Sequence, residues 1–401
     1  MKHNGLRDSF KMQTKIIPYG KQDINNDDIE SVIEVLKSDY LTQGPQVANF
    51  ENKISSFVNS NYSVAVNSAT SALHMACNAL GLEKGDFLWT SPITFVASAN
   101  CARYCGANVD FVDIDISTGL ISLEKLEKKL EIARKNNCLP KILVPVHLAG
   151  TSCDMRKINE LSQRYKFKII EDASHAIGGF YESKPVGNCQ FSDITIFSFH
   201  PVKIITTGEG GIATTNNESL YRKMNLFRSH GITKNEDQFQ FESPGPWYYE
   251  QQSLGYNYRI TDIAAALGQS QLKRIKNFVD CRNNNHKTYK NLLSDSQYNF
   301  LEIKDNVRSS LHLTILSVKG INSSQHNNYF TELRKRNIGV QLHYVPVHLH
   351  PYYRKLGFKE GDFPQSEAYA RSSFSLPNYP KLSQKEIIYI TSEIEKIWKT
   401  L

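Results

Sequence analysis

In Phe197-Ser198-Phe199-His200-Pro201-Val202-Lys203, one lysine stands among apolar residues just past a strand-like run at 194–199. A glycine-rich turn, Thr206-Thr207-Gly208-Glu209-Gly210-Gly211, carries the chain into a second apolar run. A lysine partly desolvated in such a loop loses proton affinity and becomes an amine nucleophile able to condense with a carbonyl. Ser198, a few residues earlier, could set a hydroxyl near a phosphate on the same ligand. A lone loop lysine beside a glycine turn is more often plain surface, so the weight falls on two further segments.

Residues 64–66 read as a short strand, Asn67-Ser68-Ala69-Thr70 as a turn and 71–80 as an amphipathic helix. Small hydroxyl residues at a helix start offer free N–H groups and a positive dipole end, which suits a phosphate. The same pattern also serves as an ordinary N-cap. In Phe167-Lys168-Ile169-Ile170-Glu171-Asp172-Ala173-Ser174-His175 an apolar strand delivers an aspartate to its carboxyl end, where α/β sheets place ligands. An aspartate there either caps a helix or pairs with a protonated pyridine nitrogen, which makes the ring an electron sink. Phosphate turn, aspartate and lysine, in that order, fit one cofactor: pyridoxal 5'-phosphate (PLP).

The elements that must hold these residues alternate. Strand-like runs at 64–66, 87–90, 109–112, 142–146, 167–170, 194–199 and 211–214 are separated by helical patterns at 27–38, 71–80, 123–136, 154–165 and 218–228. That rhythm predicts an α/β fold with a mostly parallel, helix-covered sheet. A helical stretch from 261 to about 294 is expected to link a large domain (16–275) to a smaller C-terminal α+β domain (276–401). The latter carries a helix near 327–336, a strand at 339–343 and a last helix at 384–399. Residues 1–15 are polar and read as a loose extension. Residues 234–252, polar, aromatic and rich in Pro and Gly, read as a mobile loop near a substrate mouth.

Composition sets limits. A chain of 401 residues, 40% hydrophobic, can bury a large core. No apolar run approaches the ~20 residues needed to span a bilayer, and no signal-peptide pattern opens the chain. Seven cysteines without a CxxC pair point to free, mostly buried thiols in a reducing cytoplasm. The net charge of +7 is scattered and forms no basic helix, which speaks against nucleic-acid binding and suits an anionic small substrate. The run from His343 to His350 invites a metal reading. Only His348 and His350 share a side of the expected strand, however, and no neighbouring carboxylate or cysteine completes a set. No metal is expected, and His343 and Tyr344 are read as substrate contacts instead. His200 reads as structural. His175 faces either a ligand ring or a backbone carbonyl.

Several ordered motifs resemble those of the DegT/DnrJ/EryC1/StrS sugar aminotransferases, which are fold-type I PLP enzymes. They are Leu41-Thr42-Gln43-Gly44, Asn67-Ser68-Ala69-Thr70-Ser71-Ala72-Leu73, Pro92-Ile93-Thr94-Phe95-Val96-Ala97, Ser174-His175-Ala176 and the lysine loop. Phe227-Arg228-Ser229-His230-Gly231, Asn257-Tyr258-Arg259 and His343-Tyr344-Val345-Pro346 complete the set, and the likeness covers roughly residues 16–401. The resemblance implies a homodimer with shared active sites, because the position of Asn257 reaches the cofactor phosphate of the neighbouring subunit in that family. It turns Phe95, a core residue by bare statistics, into a ring covering the cofactor. It also implies that Ser68, Ala69, Thr70, Asp172, His175, Ser198 and Lys203 contact PLP. Tyr19, Asp39, Tyr40, Leu41, Thr42, Leu342, His343, Tyr344 and Val345, with Ala69, Ser198 and Asn257, would contact substrate. The reaction implied moves an amino group from L-glutamate to C4 of a nucleotide-linked 4-keto sugar. The Leu41 motif, 67–73 and 227–231 point to the branch that handles UDP-linked 4-keto-6-deoxy-N-acetylhexosamines for pseudaminic acid. Dehydratases of the family carry histidine in place of the lysine, and a non-catalytic relative would have no need of Lys203, Asp172 and the Ser68 turn together.

Overall fold

The computed structural model describes residues 15–400. All but the last residue of the expected N-terminal extension lies outside them. Seven strands make the central sheet: β1 (Tyr62–Val66), β2 (Phe87–Thr90), β3 (Asn108–Phe111), β4 (Ile142–Val144), β5 (Lys168–Asp172), β6 (Ile194–Ser198) and β7 (Gly211–Thr215). Their order is β1-β7-β6-β5-β4-β2-β3. The block from β6 to β3 is parallel throughout, and β7 runs antiparallel to both of its neighbours, β1 and β6. Every residue of β6 and β7 is buried, as a sheet covered on both faces requires.

The helices α1 (Asn26–Leu36), α2 (Pro45–Val58), α3 (Ala69–Ala79), α4 (Ala97–Tyr104), α5 (Leu123–Lys135), α6 (Met155–Tyr165), α7 (Glu218–Arg228), α8 (Asp262–Leu272) and α9 (Ile275–Leu292) precede a small antiparallel sheet. That sheet is β8 (Tyr298–Phe300), β9 (Thr314–Val318) and β10 (Ser373–Leu376), in the order β8-β9-β10. Helices α10 (Ser323–Lys335) and Gln384–Trp398 pack on it around Tyr329, Leu333, Ile390 and Ile394. No helix of the described residues is long and apolar enough to cross a membrane.

Three expectations change. The helical stretch 261–294 breaks at Lys273-Arg274 into α8 and α9. Arg274 turns away from the helix line to bond Asp28 Oδ2 at 2.5 Å and the carbonyl of Asp23 at 2.9 Å. The expected domain boundary after residue 275 falls at the start of α9. No strand forms at 339–343; the segment makes a single bridge, Gln341 to Ser375. Gly339 there donates to the carbonyl of Ile17 at 2.7 Å, so its backbone is shared between two segments rather than run along one. Residues 234–252 form a folded arm. Strands Ile232–Thr233 and Glu250–Gln251 pair, and the Glu250 carboxylate accepts from the N–H groups of Gln240 (2.7 Å) and Phe241 (2.9 Å). The unexpected α2 starts at a proline and buries only Phe50, Ile54 and Val58, a stripe hidden among polar residues.

The antiparallel strand β7 matters most for position. Its first residue, Gly211, pairs with Ser198 of β6 and with Val66 at the end of β1. A Cβ on Gly211 would lie 2.5 Å from the N atom of Ala69 and 2.6 Å from its Cα. The strand that returns from the lysine loop thus presses its backbone on the start of α3. Gly211→Ala should lower unfolding stability by about 1–3 kcal/mol, the usual cost of overpacking. Gly20→Ala, whose Cβ would meet nothing nearer than Val202 at 3.8 Å, should be close to neutral in the same urea titration. Equal effects would refute the contact.

Candidate functional site

A cavity of about 390 Å³ opens at the carboxyl ends of β5 and β6. The sequence places three of its walls directly. Ser68 caps α3, its hydroxyl accepting from the N–H of Ser71 at 3.1 Å, so the Ser68-Ala69-Thr70 helix start faces the cavity. Such a cap is worth about 1 kcal/mol to the helix. Asp172 ends β5 and reaches in from the opposite wall. Lys203 rises from the loop between β6 and β7. That loop is closed by Phe199 N–H to the Gly210 carbonyl (2.9 Å), Thr207 N–H to the Phe199 carbonyl (3.0 Å) and Thr206 Oγ1 to the same carbonyl (2.9 Å). Lys203 itself donates its N–H to the carbonyl of His200 at 2.9 Å. A loop so tied holds the amine still.

Asp172 is buried, and both of its oxygens are bonded. Oδ2 accepts from Ser98 Oγ at 2.6 Å, and Ser98 lies 2.7 Å from Thr94 Oγ1; Oδ1 accepts from Ser174 N–H at 3.1 Å. Loss of water around Lys203 lowers its pKa from 10.5 to about 8, with the Asp172 carboxylate pulling the other way. An amine near 8 is neutral often enough at physiological pH to act as a nucleophile or base.

Behind Asp172, the neighbouring Glu171 points to the far side of β5 and meets His147 Nε2 at 2.8 Å and Thr195 Oγ1 at 2.9 Å, with Ser192 closer still. Burial alone would lower the His147 pKa, but Cys153 and Glu171 lift it to about 10. A buried hydrogen-bonded pair backs the carboxyl end of β5, and the N–H of Cys153 donates to the other ring nitrogen of His147, Nδ1, at 3.2 Å. The backbone N–H of His147 also donates to the Asp172 carbonyl at 3.0 Å.

His175 meets no backbone carbonyl through its ring. Its Nε2 lies 3.0 Å from the Tyr344 hydroxyl, and its buried Nδ1 has no partner. Burial, with the charge of Lys203 nearby, keeps it neutral by driving its pKa well below the usual histidine value. Its ring lies 4.5 Å, centroid to centroid, from that of His312, whose Nδ1 is also buried without a partner. Burial and Lys203 hold His343 at about 3, and its Nδ1 sits 2.7 Å from Ser375 Oγ. Tyr19 packs its ring 5.3 Å from that of His343. Phe95 is 57% exposed at the mouth, 6.2 Å from the Tyr344 ring, and is not core.

Of the residues singled out in the sequence, Tyr19, Ser68, Ala69, Thr70, Phe95, Asp172, His175, Ser198, Lys203, His343 and Tyr344 line this one cavity. Leu342 and Val345 do not line it. Asp39, Tyr40, Leu41 and Thr42 are exposed outside it, where the Leu41 carbonyl accepts from Asp262 N–H at 3.0 Å. Asn257 is exposed too, on a segment bridged to Ser229. His200, read as structural, lines the cavity. Sequence reasoning passed over Thr94, Ser98, Glu209 and His312. The spacing of two hydroxyls four residues apart, Thr94 and Ser98, was the available signal; for His312 there was none. His348, on a short 3-10 turn rather than a strand, pairs with Glu367 at 3.0 Å. Among the described residues no group of three or more ligands could hold a metal.

The chemistry of the lysine should be measurable on the bare chain. A small aldehyde with a mild hydride reductant should modify Lys203 faster than any other lysine, the rate rising with pH to a midpoint near 8. A midpoint near 10.5, or a label elsewhere, would refute the assignment.

The chain as a whole is similar to known proteins. The model of the DegT/DnrJ/EryC1/StrS aminotransferase family matches residues 22–395. The UDP-4-amino-4,6-dideoxy-N-acetyl-beta-L-altrosamine transaminase of Campylobacter jejuni is 36% identical, over 96% of this chain and 99% of its own. Among solved structures, Helicobacter pylori PseC, an aminotransferase involved in the biosynthesis of pseudoaminic acid, superposes with a TM-score of 0.88 at 31% identity. That match covers 96% of this chain and all of the other. The putative sugar aminotransferase Spr1654 of Streptococcus pneumoniae, in its PLP form, gives 0.87 at 29% identity over 96% and 99% of the two chains.

Proposed function

This chain belongs to the DegT/DnrJ/EryC1/StrS aminotransferase family, and on that premise we propose that it moves an amino group from L-glutamate to C4 of a UDP-linked 4-keto-6-deoxy-N-acetylhexosamine, as in pseudaminic acid biosynthesis. It is a PLP-dependent nucleotide-sugar aminotransferase of the α/β fold-type I class. The observation that carries the proposal is the convergence of Lys203, Asp172 and the Ser68-Ala69-Thr70 helix start on one cavity.

The residues present fit PLP. The α3 start offers N–H groups and hydroxyls to a phosphate, with Ser198 beside it. The bare Gly211 lets the sheet backbone approach that turn, where a Cβ would intrude. Asp172, held by Ser98 and Ser174, supplies a fixed carboxylate for a ring nitrogen, and the orphaned Nδ1 of His175 awaits a polar partner. When bound, the cofactor supplies an electron sink for the carbon next to the transferred nitrogen. Asp172 would hold a proton on the ring nitrogen. Lys203 would hold the group through Nζ, and its free amine would take a proton at Nζ from the donor's α-carbon side. In the second half it works in reverse, returning a proton toward the sugar's C4. A single amine serves both halves, so the kinetics should be ping-pong. Phe95 covers the ring face at the mouth. Tyr19, His343 and Tyr344 bind the sugar, where hydrogen-bonding groups reject a wrong substrate more sharply than an apolar wall.

We propose a cytoplasmic homodimer whose second copy completes each site with Asn257 and the exposed Asp39-Tyr40-Leu41-Thr42 segment. The support is their exposure in one chain beside their place in motifs shared with the family. Mixing inactive Lys203→Ala with inactive Asn257→Ala protein should restore part of the activity, since a hybrid carries one intact site. No recovery after proven subunit exchange would sink the shared site. Asp172→Asn should keep the fold and lose on the order of several kcal/mol of transition-state stabilisation, read as kcat. A variant with near-normal kcat would reduce Asp172 to a cap.

The substrate is tested by kcat/KM. UDP-2-acetamido-2,6-dideoxy-β-L-arabino-hexos-4-ulose with L-glutamate should exceed dTDP- and GDP-linked 4-keto-6-deoxy sugars. Preference for either of the latter would move the chain to a sister branch and leave the transamination intact.

A further inference from the structure

His175, three residues past Asp172, is held at three points by residues that follow it by 135 to 169 positions in the chain. Ser310 Oγ donates to its carbonyl at 2.8 Å, and the His312 ring stands 4.5 Å from its ring, centroid to centroid. The Tyr344 hydroxyl lies 3.0 Å from its Nε2, with the two rings 24° from parallel. The holding segment is fixed in turn. Ser310 donates its N–H to the carbonyl of Gly150 at 3.1 Å, and Arg282 donates from Nη1 to the carbonyl of His312 at 3.1 Å. Gly150 has to be bare, because a Cβ there would collide with Ser310 Oγ and lie 2.8 Å from the His175 carbonyl oxygen. His175, Ser310 and His312 are all buried.

A ring so seated has one tautomer open to it. The charged and titratable groups around it are Lys203, His312, His343 and Tyr344, with Arg282 behind His312, and among the described residues no carboxylate bonds the ring. Burial beside a cation keeps an imidazole neutral, so it carries a single N–H. A bare imidazole nitrogen accepts a hydrogen bond far better than a phenol oxygen does. The Tyr344 hydroxyl makes no other hydrogen bond among the described residues, so its O–H donates to Nε2. The one proton of the ring then lies on Nδ1, whose partner does not come from the chain.

We propose that His312 and Tyr344 are positioning residues that lock His175 as its Nδ1–H tautomer, a neutral donor for an oxygen of a ligand bound in the cavity. His312 supplies the wall that fixes the ring plane, and Tyr344 fixes which nitrogen is bare. Such a donor steers charge on the ligand oxygen without giving up its hydrogen, and Lys203 remains the group that moves protons. Only the identity of the ligand rests on the PLP reading; the tautomer follows from the chain itself.

The experiment uses the full-length chain with isotope-labelled histidine, without and with PLP. Proton–nitrogen correlations by NMR tell a protonated ring nitrogen from a bare one, and His175 is the signal lost in His175→Gln. Wild type should show Nδ1 protonated and Nε2 bare. Tyr344→Phe should move most of His175 to the Nε2–H form that an unconstrained histidine prefers. His312→Ala should broaden or split the His175 signals as the ring takes several orientations. His312→Phe, which keeps an aromatic wall, should restore one sharp set. A wild-type ring protonated on Nε2, or an unchanged tautomer in Tyr344→Phe, would overturn the assignment, and sharp unshifted signals in His312→Ala would overturn the role of His312. Added PLP should shift Nδ1, which gives the acceptor to the cofactor. A shift that appears only when L-glutamate joins the loaded chain gives it to the substrate, and no shift with either overturns the donor role. Failure of PLP to bind at all would count against the cofactor reading alone, since the tautomer is read on the bare chain.

Discussion

A half-buried ammonium and a buried carboxylate in one cavity each resist losing water, and the site depends on how that cost is shared. Lys203 yields by surrendering proton affinity, to about 8. Ser98 and Ser174 replace the water that Asp172 lost, and its carboxylate pulls the lysine's proton affinity back up. Remove either serine partner and the carboxylate must find compensation elsewhere, most readily by drawing on Lys203, whose amine would then hold its proton more tightly. A serine on α4 thus holds the carboxylate that raises the lysine's proton affinity.

The sheet makes this balance possible by delivering both groups from adjacent strands. β5 ends in Asp172, β6 leads to Lys203, and Ile196 of β6 stands opposite Asp172 in register. On the reverse side of β5 the alternation of a strand sends Glu171 into a second buried network with His147, Thr195 and Ser192. Two consecutive carboxylates thus take opposite duties. One looks into the cavity, and the other ties β5 to its parallel neighbours from behind through the imidazole of His147 and the hydroxyl of Thr195.

Much of this was legible from the residues alone, and the reason is local. β6, β7, α3 and the Asp172 strand are set by short apolar runs with small hydroxyl residues at their ends, signals that need no distant partner. What escaped the sequence depends on distant contacts. Ser98 gains its role only because α4 packs where β5 ends. His312 enters the cavity from the loop before β9, more than a hundred residues after His175, with nothing in its neighbours to announce it. The break between α8 and α9 is made by Asp23 and Asp28, some 250 residues away in the chain. The segment 339–343 has the composition of a strand, but Ile17 and Ser375 divide its backbone bonds between them.

The close seat of Gly211 on Ala69 gives the molecule a built-in gauge. The lysine loop and the phosphate turn are joined through main chain alone, by one strand pressed against one helix start with no side chain between them. The separation between amine and turn is consequently fixed by backbone radii, which amino-acid replacement at the rim cannot adjust. Mutation around Tyr19, Phe95 or His343 can redraw what enters from outside. The length of the molecule that spans the floor stays the same.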